Sequence, residues 1–347
     1  MARIASTAVA LPEHRITQRD AREACARYFR DRPHLTALME IFDRAGVGDR
    51  YLSFPVSYYF EDRPFSKRNA DFVDQAVRLG GRAVREALDR ARVRPGEVDQ
   101  FYFTTTTGLA TPSVDALLAA DLGFRPDCQR NPLFGIGCAG GAAMLGRAAQ
   151  ALQGRAAQAL QGRAVLLSVE LCGQTFRPSD ASPVNLVGAA LFGDGAAAAV
   201  VDQGDGGPRI AAWDAELFPG TRDAMGWDFV DDGFRLILSK SVPSIVVEKV
   251  APAVRRMLES WGVRVEDIRH WALHPGGARV LEAWERAFGI DVKWSRETLR
   301  RHGNLSSAAV LFILDDILRS GAPKSGDRGL VAAVGPGFAL EAALLEW

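Results

Sequence analysis

The feature that most constrains the fold of this chain is an internal repeat. The segment AVREALDRARVRPGEVDQFYFT (83–104) aligns with AVRRMLESWGVRVEDIRHWALH (253–274) at a constant offset of 170 residues. Val84 pairs with Val254, and the apolar positions of a helix and of the strand after it recur in both segments. A repeat of this size predicts two similar units related by a pseudo-two-fold axis.

The repeat continues in a second pair of segments. GCAGGAAMLGRAAQAL (137–152) and GNLSSAAVLFILDDIL (303–318) both begin with glycine and small residues and continue as an apolar helix. Because strands alternate with helices along the chain, we expect layered α/β packing. A turn rich in glycine and aspartate at 202–207 predicts an N-terminal half at 1–205 and a C-terminal half at 206–347.

Composition excludes several classes of partner and location. The 347 residues carry 42 basic and 42 acidic side chains, and this zero net charge argues against nucleic acid or an anionic membrane as the main partner. The four cysteines lack CxxC spacing, and the N-terminus MARIASTAVALPEHR lacks a signal-peptide pattern. The sequence contains no run of about eighteen apolar residues, so we expect no membrane span. We therefore expect a soluble, cytoplasmic protein with reduced thiols.

A lone cysteine lies in the stretch NPLFGIGCAGGAAMLGRAAQAL, which begins at Asn131. Cys138 follows Gly137 and precedes a run of alanine and glycine, after which the apolar residues have helical spacing. We therefore expect its thiol at the start of a helix, where unpaired N–H groups and the helix dipole lower the pKa of the thiol and favour thiolate. A nucleophile and a buried structural cysteine both remain compatible with this stretch alone.

Two further polar residues stand where a reaction centre would use them. His274 follows the apolar strand pattern HWAL and precedes a flexible turn, and Asn304 occupies a predicted helix N-cap before Ser306 and Ser307. Taken singly, a hydrogen-bonded strand-end histidine and a helix-capping asparagine explain both residues. The repeat makes Asn304 the symmetry mate of Cys138, so both are expected at helix starts near the join of the halves.

The octapeptide GRAAQALQ occurs twice in succession, at 146–153 and 154–161. Eight residues advance a helix by about 12 Å and turn it by about 80°, so the two copies cannot bury the same stripe of the helix. We expect the extra copy to lengthen the helix, or to form a helical bulge, at the surface away from Cys138.

Five motifs occur in the order in which one enzyme family carries them. They are GCAGGAA at Cys138, ALFGDGAAA (190–198), HPGG (274–277), GNLSSAAVLFILD (303–315) and GPGF (335–338). Through these motifs the chain resembles the type III polyketide synthases, the chalcone-synthase-like enzymes of the thiolase superfamily. VELC and TPSVDA resemble the bacterial members, including alkylpyrone and alkylresorcinol synthases. The resemblance implies a thiolase-like layered αβαβα fold of two pseudo-symmetric halves, assembled as a homodimer.

The resemblance also implies a reaction and a catalytic set. Cys138 corresponds to the nucleophile of the family, and His274 and Asn304 correspond to the other two members of its triad. A fatty acyl-CoA starter would load on the thiol, malonyl-CoA would extend it by decarboxylative condensation, and a cyclised pyrone or resorcinol would be released. His274 and Asn304 would donate hydrogen bonds to the thioester oxygen as an oxyanion hole. The resemblance implies neither a metal nor a redox cofactor.

Several positions correspond to substrate-binding residues of the family. Phe192 and Phe234 match a phenylalanine pair that gates the CoA tunnel, and Thr111 matches a position that reaches the cavity of the neighbouring subunit. The other implied cavity positions are Cys172, Thr175, Gly188, Ser306, Gly276, Gly277, Gly335, Pro336 and Gly337.

The chain departs from the plant members of the family at the CoA-binding positions. Only Arg44 keeps a basic residue there, and Ala37 and Glu40 occupy the two earlier positions. Arg44 is therefore the predicted CoA-binding residue. Met225 and Trp227 lie in a region that lines the cavity in the family, and either could set the size of the starter.

Three other functions are compatible with a Cys, His and Asn set. A ketoacyl-ACP synthase III or related acyltransferase uses the same residue types but typically carries an HQAN-type histidine motif, where this chain has HPGG. A papain-like protease would carry a CGSCW-type surround, which is missing here. A catalytically silent acyl-CoA-binding protein would form no acyl adduct on Cys138.

Overall fold

Thirteen strands lie in the described part of the chain, residues 1–157 and 162–347 of this computed structural model. Those at the centre of the large sheet are apolar, as strands buried on both faces must be. The strands are β1 (Arg3–Ala10), β2 (His14–Thr17), β3 (Asp49–Leu52), β4 (Gln100–Thr104), β5 (Gln129–Leu133), β6 (Ala164–Leu171), β7 (Asp194–Asp202), β8 (Arg209–Leu217), β9 (Met225–Val230), β10 (Gly233–Leu238), β11 (Ile268–Leu273), β12 (Arg328–Gly335) and β13 (Ala339–Glu346).

Twelve α-helices lie in the same described ranges, and short 3₁₀ turns precede several of them. The helices are α1 (Gln18–Tyr28), α2 (Leu35–Arg44), α3 (Val56–Tyr59), α4 (Phe65–Ala91), α5 (Val114–Leu122), α6 (Gly140–Ala157), α7 (Pro183–Leu191), α8 (Val242–Ile245), α9 (Ala251–Ser260), α10 (Ala278–Phe288), α11 (Lys293–His302) and α12 (Ala309–Arg319).

The order of the strands reproduces the internal repeat. One mixed sheet has the order β11-β12-β13-β8-β1-β7-β6-β4-β5. In the first half, β4 pairs with β6 in parallel, and β6 pairs with β7 and β7 with β1 in antiparallel. In the second half, β11 pairs with β12 in parallel, and β12 pairs with β13 and β13 with β8 in antiparallel. Within the sheet, the halves join through one residue pair of β1 and β8, Arg3 with Arg209. The predicted pseudo-symmetry is confirmed, and the division at 205/206, in the loop between β7 and β8, stays a prediction.

Helices cover the sheet in layers. α6 and α12 pack on each other and against strands of both halves, and they form the central layer with an apolar core of their own. α4 and α5 cover the outer face of the first half, and α9 and α10 cover the outer face of the second. β7 turns Ala196 and Ala198 to the outer core and Ala197 and Ala199 to the central one, because neighbouring side chains of a strand alternate. The predicted αβαβα arrangement is confirmed.

Small residues let the two central helices approach closely at their N-terminal ends. A Cβ at Gly141 would overlap the backbone carbonyl of Ser307, and a Cβ at Gly140 would lie 2.6 Å from Thr104 Oγ1. A side chain at Gly141 would push the start of α6 away from the turn before α12, and a side chain at Gly140 would push it away from β4. The glycines therefore bring the turn that carries Cys138 next to the turn that carries Ser306.

The duplicated octapeptide begins inside α6, which continues to Ala157. Its buried face ends at Leu152, and the residues after it are mostly exposed, about 25 Å from the start of the helix. The first copy is thus helical as predicted, whereas the prediction for the end of the second copy, 158–161, lies outside the described residues. None of the described helices is long and apolar enough to cross a membrane.

Candidate active site

A cavity of about 450 Å³ opens where α6 and α12 begin. Cys138, His274 and Asn304 all line this cavity, although they lie far apart in the sequence. We call it the reaction cavity. The convergence of a thiol, an imidazole and a carboxamide in one space is what the sequence motifs predicted.

Cys138 lies in a 3₁₀ turn, Gly137–Ala139, directly before α6. Gly137 has a φ of +59°, and a Cβ there would overlap the ring of Pro336, so only glycine allows this turn to approach the GPGF loop. The thiol is partly exposed to the cavity, and its Sγ lies 3.5 Å from Ser306 Oγ. The sulfur is therefore accessible to a thioester that enters the cavity.

Burial raises the pKa of the Cys138 thiol to about 12, and the hydrogen bond with Ser306 offsets only part of this shift. The nearby Glu170 carboxylate acts in the same direction as burial. The expectation of a lowered thiol pKa at the helix start is therefore wrong for the ligand-free cavity. The resting form of Cys138 is the thiol.

His274 follows β11 and is held by its backbone N–H, which donates to Ala332 O at 2.9 Å. The side chain is 2% exposed, and neither ring nitrogen has a hydrogen-bond partner among the described residues. Burial lowers the pKa of the imidazole to about 4, so the ring is neutral near pH 7. A neutral ring offers one N–H donor and one nitrogen acceptor to a ligand in the cavity.

Asn304 is fixed by the backbone on both sides. Its N–H donates to Leu191 O at 2.8 Å, and its carbonyl accepts from Gly193 N at 3.1 Å. The carboxamide oxygen accepts a hydrogen bond of 2.8 Å from the N–H of Ser306. The prediction that Asn304 is a helix N-cap is wrong, because the N-cap of the 3₁₀ turn that follows is Leu305 and that of α12 is Ala308. Because the oxygen is occupied, the amide N–H₂ is the group that Asn304 offers to a ligand.

A buried glutamate that the sequence analysis missed is linked to Cys138. Glu170 is 0% exposed and accepts hydrogen bonds from Thr106 N at 3.1 Å, from Thr106 Oγ1 at 3.2 Å and from Thr107 Oγ1 at 2.9 Å. Thr106 Oγ1 lies 3.3 Å from Ser306 Oγ, which in turn lies 3.5 Å from Cys138 Sγ. A continuous chain of hydroxyl groups thus joins the carboxylate to the sulfur.

One sequence signal could have identified this group. Glu170 is the single charged residue within the apolar strand pattern AVLLSVEL, and the TTTT run (104–107) begins at the last residue of β4, the parallel neighbour of β6. A carboxylate inside a strand buried on both faces requires several donors, and the threonines supply them. Burial raises the pKa of the Glu170 carboxyl, and these donors act against that rise.

A second, smaller cavity of about 70 Å³ adjoins the first and is lined mainly by apolar side chains. We call it the annex. Phe192, Trp227 and Leu236 line both cavities and therefore form the wall between them. The ring centroids of Phe192 and Trp227 are 6.2 Å apart, and those of Trp227 and Phe234 are 5.9 Å apart.

The structure distributes the other predicted residues among these places. The reaction cavity is lined by Ser306, Gly276, Gly277, Pro336, Phe192, Arg44 and Met225. The annex is lined by Cys172, Thr175, Gly188 and Phe192. Four predicted residues line neither cavity: Phe234, Thr111, Gly335 and Gly337. Phe234 lies behind Trp227, and Thr111 is exposed.

Two family models match this chain, one in each half. The family model described as chalcone and stilbene synthases, N-terminal domain, matches residues 56–205, and the model of the C-terminal domain matches residues 210–346. The chain belongs to the chalcone and stilbene synthase family. The predicted resemblance is thereby confirmed, as is the predicted class of enzyme, an acyltransferase of the polyketide synthase type that condenses with decarboxylation.

Individual relatives of this synthase support the same assignment. A 1,3,6,8-tetrahydroxynaphthalene synthase of Streptomyces peucetius subsp. caesius is 38% identical and covers 99% of this chain and 93% of its own. A putative chalcone synthase of Bacillus subtilis is 33% identical over 100% of this chain and 99% of its own. The crystal structure of the 1,3,6,8-tetrahydroxynaphthalene synthase of Streptomyces coelicolor A3(2), a bacterial type III polyketide synthase, superposes with a TM-score of 0.95 at 30% identity and covers 99% of both chains.

Proposed function

We propose that this type III polyketide synthase loads a fatty acyl-CoA on Cys138, extends it with malonyl-CoA and releases a cyclised pyrone or resorcinol. The observation that carries the proposal is the meeting of Cys138, His274 and Asn304 in one cavity, with the apolar annex beside it. The thiol supplies the covalent attachment point, the two other side chains supply hydrogen-bond donors, and the annex supplies apolar volume.

Loading begins with a protonated thiol and a neutral imidazole. As Cys138 Sγ attacks the thioester carbonyl of the starter, the unprotonated ring nitrogen of His274 takes the thiol proton. The bond between the acyl carbon and the CoA sulfur then breaks, and the leaving CoA sulfur receives that proton from His274. The products are an acyl thioester on Cys138 and free CoA.

Extension uses the donors of His274 and Asn304. Loss of CO₂ from malonyl-CoA leaves the electron pair of the broken carbon–carbon bond as an enolate. The ring N–H of His274 and the amide N–H₂ of Asn304 donate hydrogen bonds to the enolate oxygen. Fixed donors of this kind stabilise the negative charge on the oxygen strongly, because the cavity is buried. The enolate carbon attacks the acyl thioester, the new carbon–carbon bond forms, and Cys138 leaves as thiolate, ready to take back the extended chain.

The annex supports a fatty starter. Its walls are mainly apolar, and it lies directly behind Phe192, Trp227 and Leu236, so the tail of an acyl chain would enter it by displacing that wall. Trp227 lines both cavities, whereas Met225 lines only the reaction cavity. Trp227 is therefore the residue that we propose sets the starter length.

A second candidate function is a synthase primed and extended by malonyl-CoA alone that forms a short aromatic product. The observation that favours it is the 38% identity with the 1,3,6,8-tetrahydroxynaphthalene synthase of Streptomyces peucetius subsp. caesius over 99% of this chain. Such a product would fit within the reaction cavity and would leave the annex unused.

We also propose that the synthase is a cytoplasmic homodimer. β5 is an edge strand of the sheet, and it therefore presents unpaired backbone groups. Phe134, next to β5, and Phe229 are 52% and 56% exposed, with ring centroids 6.4 Å apart. A second copy of the chain would cover these groups, and Thr111 is exposed as a residue that reaches a partner must be. Light scattering on the purified protein would give twice the chain mass.

The test of the reaction is a product analysis with acyl-CoA starters of graded length. We expect wild type to form pyrones or resorcinols and to carry an acyl adduct on Cys138, visible in the mass of the intact protein. Cys138→Ala should form neither, whereas Cys128→Ala, which removes a partly exposed thiol that lines neither cavity, should retain both.

Each contrary outcome has a definite meaning. Product from Cys138→Ala would refute the assigned nucleophile. Aromatic product from malonyl-CoA alone, with no product from any acyl-CoA, would favour the second candidate. Neither product nor adduct in wild type would support a silent acyl-CoA-binding protein.

A further inference from the structure

The wall between the reaction cavity and the annex lies on a hairpin that is not part of the large sheet. β9 and β10 form a two-stranded sheet of their own, and Trp227 lies directly opposite Leu236 in it. Among the described residues, no backbone–backbone hydrogen bond joins either strand to another element. The position of the wall therefore depends on side-chain contacts.

The hydrogen bonds and ion pairs that join this hairpin to other described residues all end on Asp232, in its turn. Arg177 donates to the Asp232 carboxylate from Nε at 3.0 Å and from a terminal nitrogen at 2.9 Å, so their ion pair is bidentate. Ser179 Oγ donates to the same carboxylate at 3.2 Å, and the guanidinium of Arg68 donates to the backbone carbonyl of Asp232.

We propose that Asp232 and Arg177 are positioning residues that limit the length of the acyl chain in the annex, because they hold the hairpin against the annex lining. The assignment rests on the proposed function, in which the tail of the starter enters the annex by displacing the wall. Neither side chain lines a cavity, so both act through the hairpin and not on the substrate.

The partners of Asp232 are tied directly to the annex. Most residues of the segment 172–176 line the annex, and Arg177 follows this segment. Arg68 is buried and also donates to the backbone carbonyls of Gln174 at 3.2 Å and of Phe176 at 3.1 Å. Because the same two arginines contact the annex segment and the turn of the hairpin, a hairpin that moves away from the annex must break these contacts.

The exposure of the ion pair limits the size of the effect. The side chain of Arg177 is 15% exposed and that of Asp232 is 47% exposed. An ion pair that solvent reaches contributes at most about fivefold to an equilibrium. A short starter leaves the wall in place, whereas a longer one displaces it. Loss of the ion pair therefore raises kcat/KM for the longer starter relative to the shorter one.

The experiment compares Asp232→Asn, Arg177→Gln and the double variant with wild type and with Asp228→Asn. Asp228 forms an ion pair with Arg235 that joins β9 to β10 and has no partner outside the hairpin among the described residues. Its side chain lies on the opposite face of the hairpin from Trp227, because neighbouring side chains of a strand alternate. Asp228→Asn is therefore the matched control.

The first measurement uses two acyl-CoA starters that differ by two methylenes, the longer of which wild type begins to reject. We expect the ratio of kcat/KM, longer over shorter, to rise about fivefold in Asp232→Asn, in Arg177→Gln and in the double variant, because the two side chains form one contact. Asp228→Asn should keep the wild-type ratio. The kcat for CO₂ release from malonyl-CoA, which does not need the annex, should stay within about twofold in every variant, whereas a general loss of structure would lower it.

Alkylation of Cys138 by N-hexyl and N-dodecyl iodoacetamide separates this proposal from the proposed function, because it requires no turnover. The sulfur displaces iodide, a carbon–sulfur bond forms, and the thiol proton passes to the solvent. The rate is read from the mass of the peptide that contains Cys138. We expect the ratio of the dodecyl rate to the hexyl rate to rise about fivefold in Asp232→Asn and to stay unchanged in Asp228→Asn.

An unchanged alkylation ratio in Asp232→Asn overturns the assignment, and so does an equal rise in Asp228→Asn. Effects of Asp232→Asn and Arg177→Gln that multiply in the double variant overturn it too, because the residues would then act independently. Where wild type forms product, an unchanged kcat/KM ratio in Asp232→Asn has the same meaning. Where wild type forms no product from any acyl-CoA, the proposed function fails, and a raised alkylation ratio in Asp232→Asn alone still supports the positioning of the wall.

Discussion

Replacement of Trp227 tests most directly how the synthase selects its starter. The indole is part of the wall between the reaction cavity of about 450 Å³ and the annex of about 70 Å³. Trp227→Ala removes that part of the wall and joins the two spaces. A longer acyl chain then reaches apolar surface that the wild-type side chain covers.

The expected magnitude follows from the burial of methylene groups. One buried methylene contributes about 0.8 kcal/mol, so two additional methylenes in the annex contribute about 1.6 kcal/mol. That free energy corresponds to roughly 15-fold in kcat/KM. The comparison uses two starters that differ by two methylenes, chosen so that wild type accepts the shorter one and begins to reject the longer one. For this pair, Trp227→Ala should shift the ratio of the two kcat/KM values toward the longer starter by that factor.

The assay measures kcat/KM for a series of acyl-CoA starters with a fixed concentration of malonyl-CoA. Met225→Ala is the matched comparison, because Met225 lies on the same strand and lines only the reaction cavity. Thermal unfolding of each variant checks that it is folded, and Trp227→Phe, which keeps a ring in the wall, should behave like wild type. The reasoning is refuted if Met225→Ala shifts the ratio and a folded Trp227→Ala does not.

Three further predictions concern Cys138, His274 and Glu170. Alkylation of Cys138 by iodoacetamide should accelerate about tenfold per pH unit from pH 7 to 9, because a thiol with a pKa of about 12 gains thiolate throughout that range; a plateau below pH 9 would contradict the raised pKa. His274→Gln should lower the rate of malonyl-CoA decarboxylation by roughly 10²–10³, measured as CO₂ release, and a loss below tenfold would remove the ring from the oxyanion hole. Glu170→Gln should lower the free energy of unfolding in urea by about 1–3 kcal/mol, because an amide N–H₂ would face the donors of Thr106, and an unchanged value would mean that the network tolerates the amide.

The sequence analysis predicted what depends on short-range pattern and on the repeat. The offset between 83–104 and 253–274 correctly paired β4 with β11, and the second repeat correctly made α6 and α12 mates. Because both helices begin at the seam between the halves, Cys138 and Asn304 had to meet there. The hairpin of β9 and β10, by contrast, has no regular alternation in GWDFVDDG, and its place over the cavity is set by tertiary packing.

The direction of the Cys138 pKa shift shows why local pattern was not sufficient. The helix start, a local feature, favours thiolate, whereas burial depends on how closely α12, the GPGF loop and β6 surround the sulfur. Glu170 lies on β6 and is joined to the sulfur only through side chains of other elements. Neither contribution can be seen in the residues adjacent to Cys138.

Burial shifts the pKa values of both Cys138 and His274, and both shifts favour the neutral side chain. Burial disfavours the thiolate of Cys138 and the imidazolium of His274 when either forms alone, and it leaves both side chains neutral at rest. An adjacent thiolate and imidazolium carry no net charge, and each lowers the cost of the other. The loading step that we propose therefore depends on contact between the sulfur and the ring, because proton transfer from one to the other creates both charges as a pair.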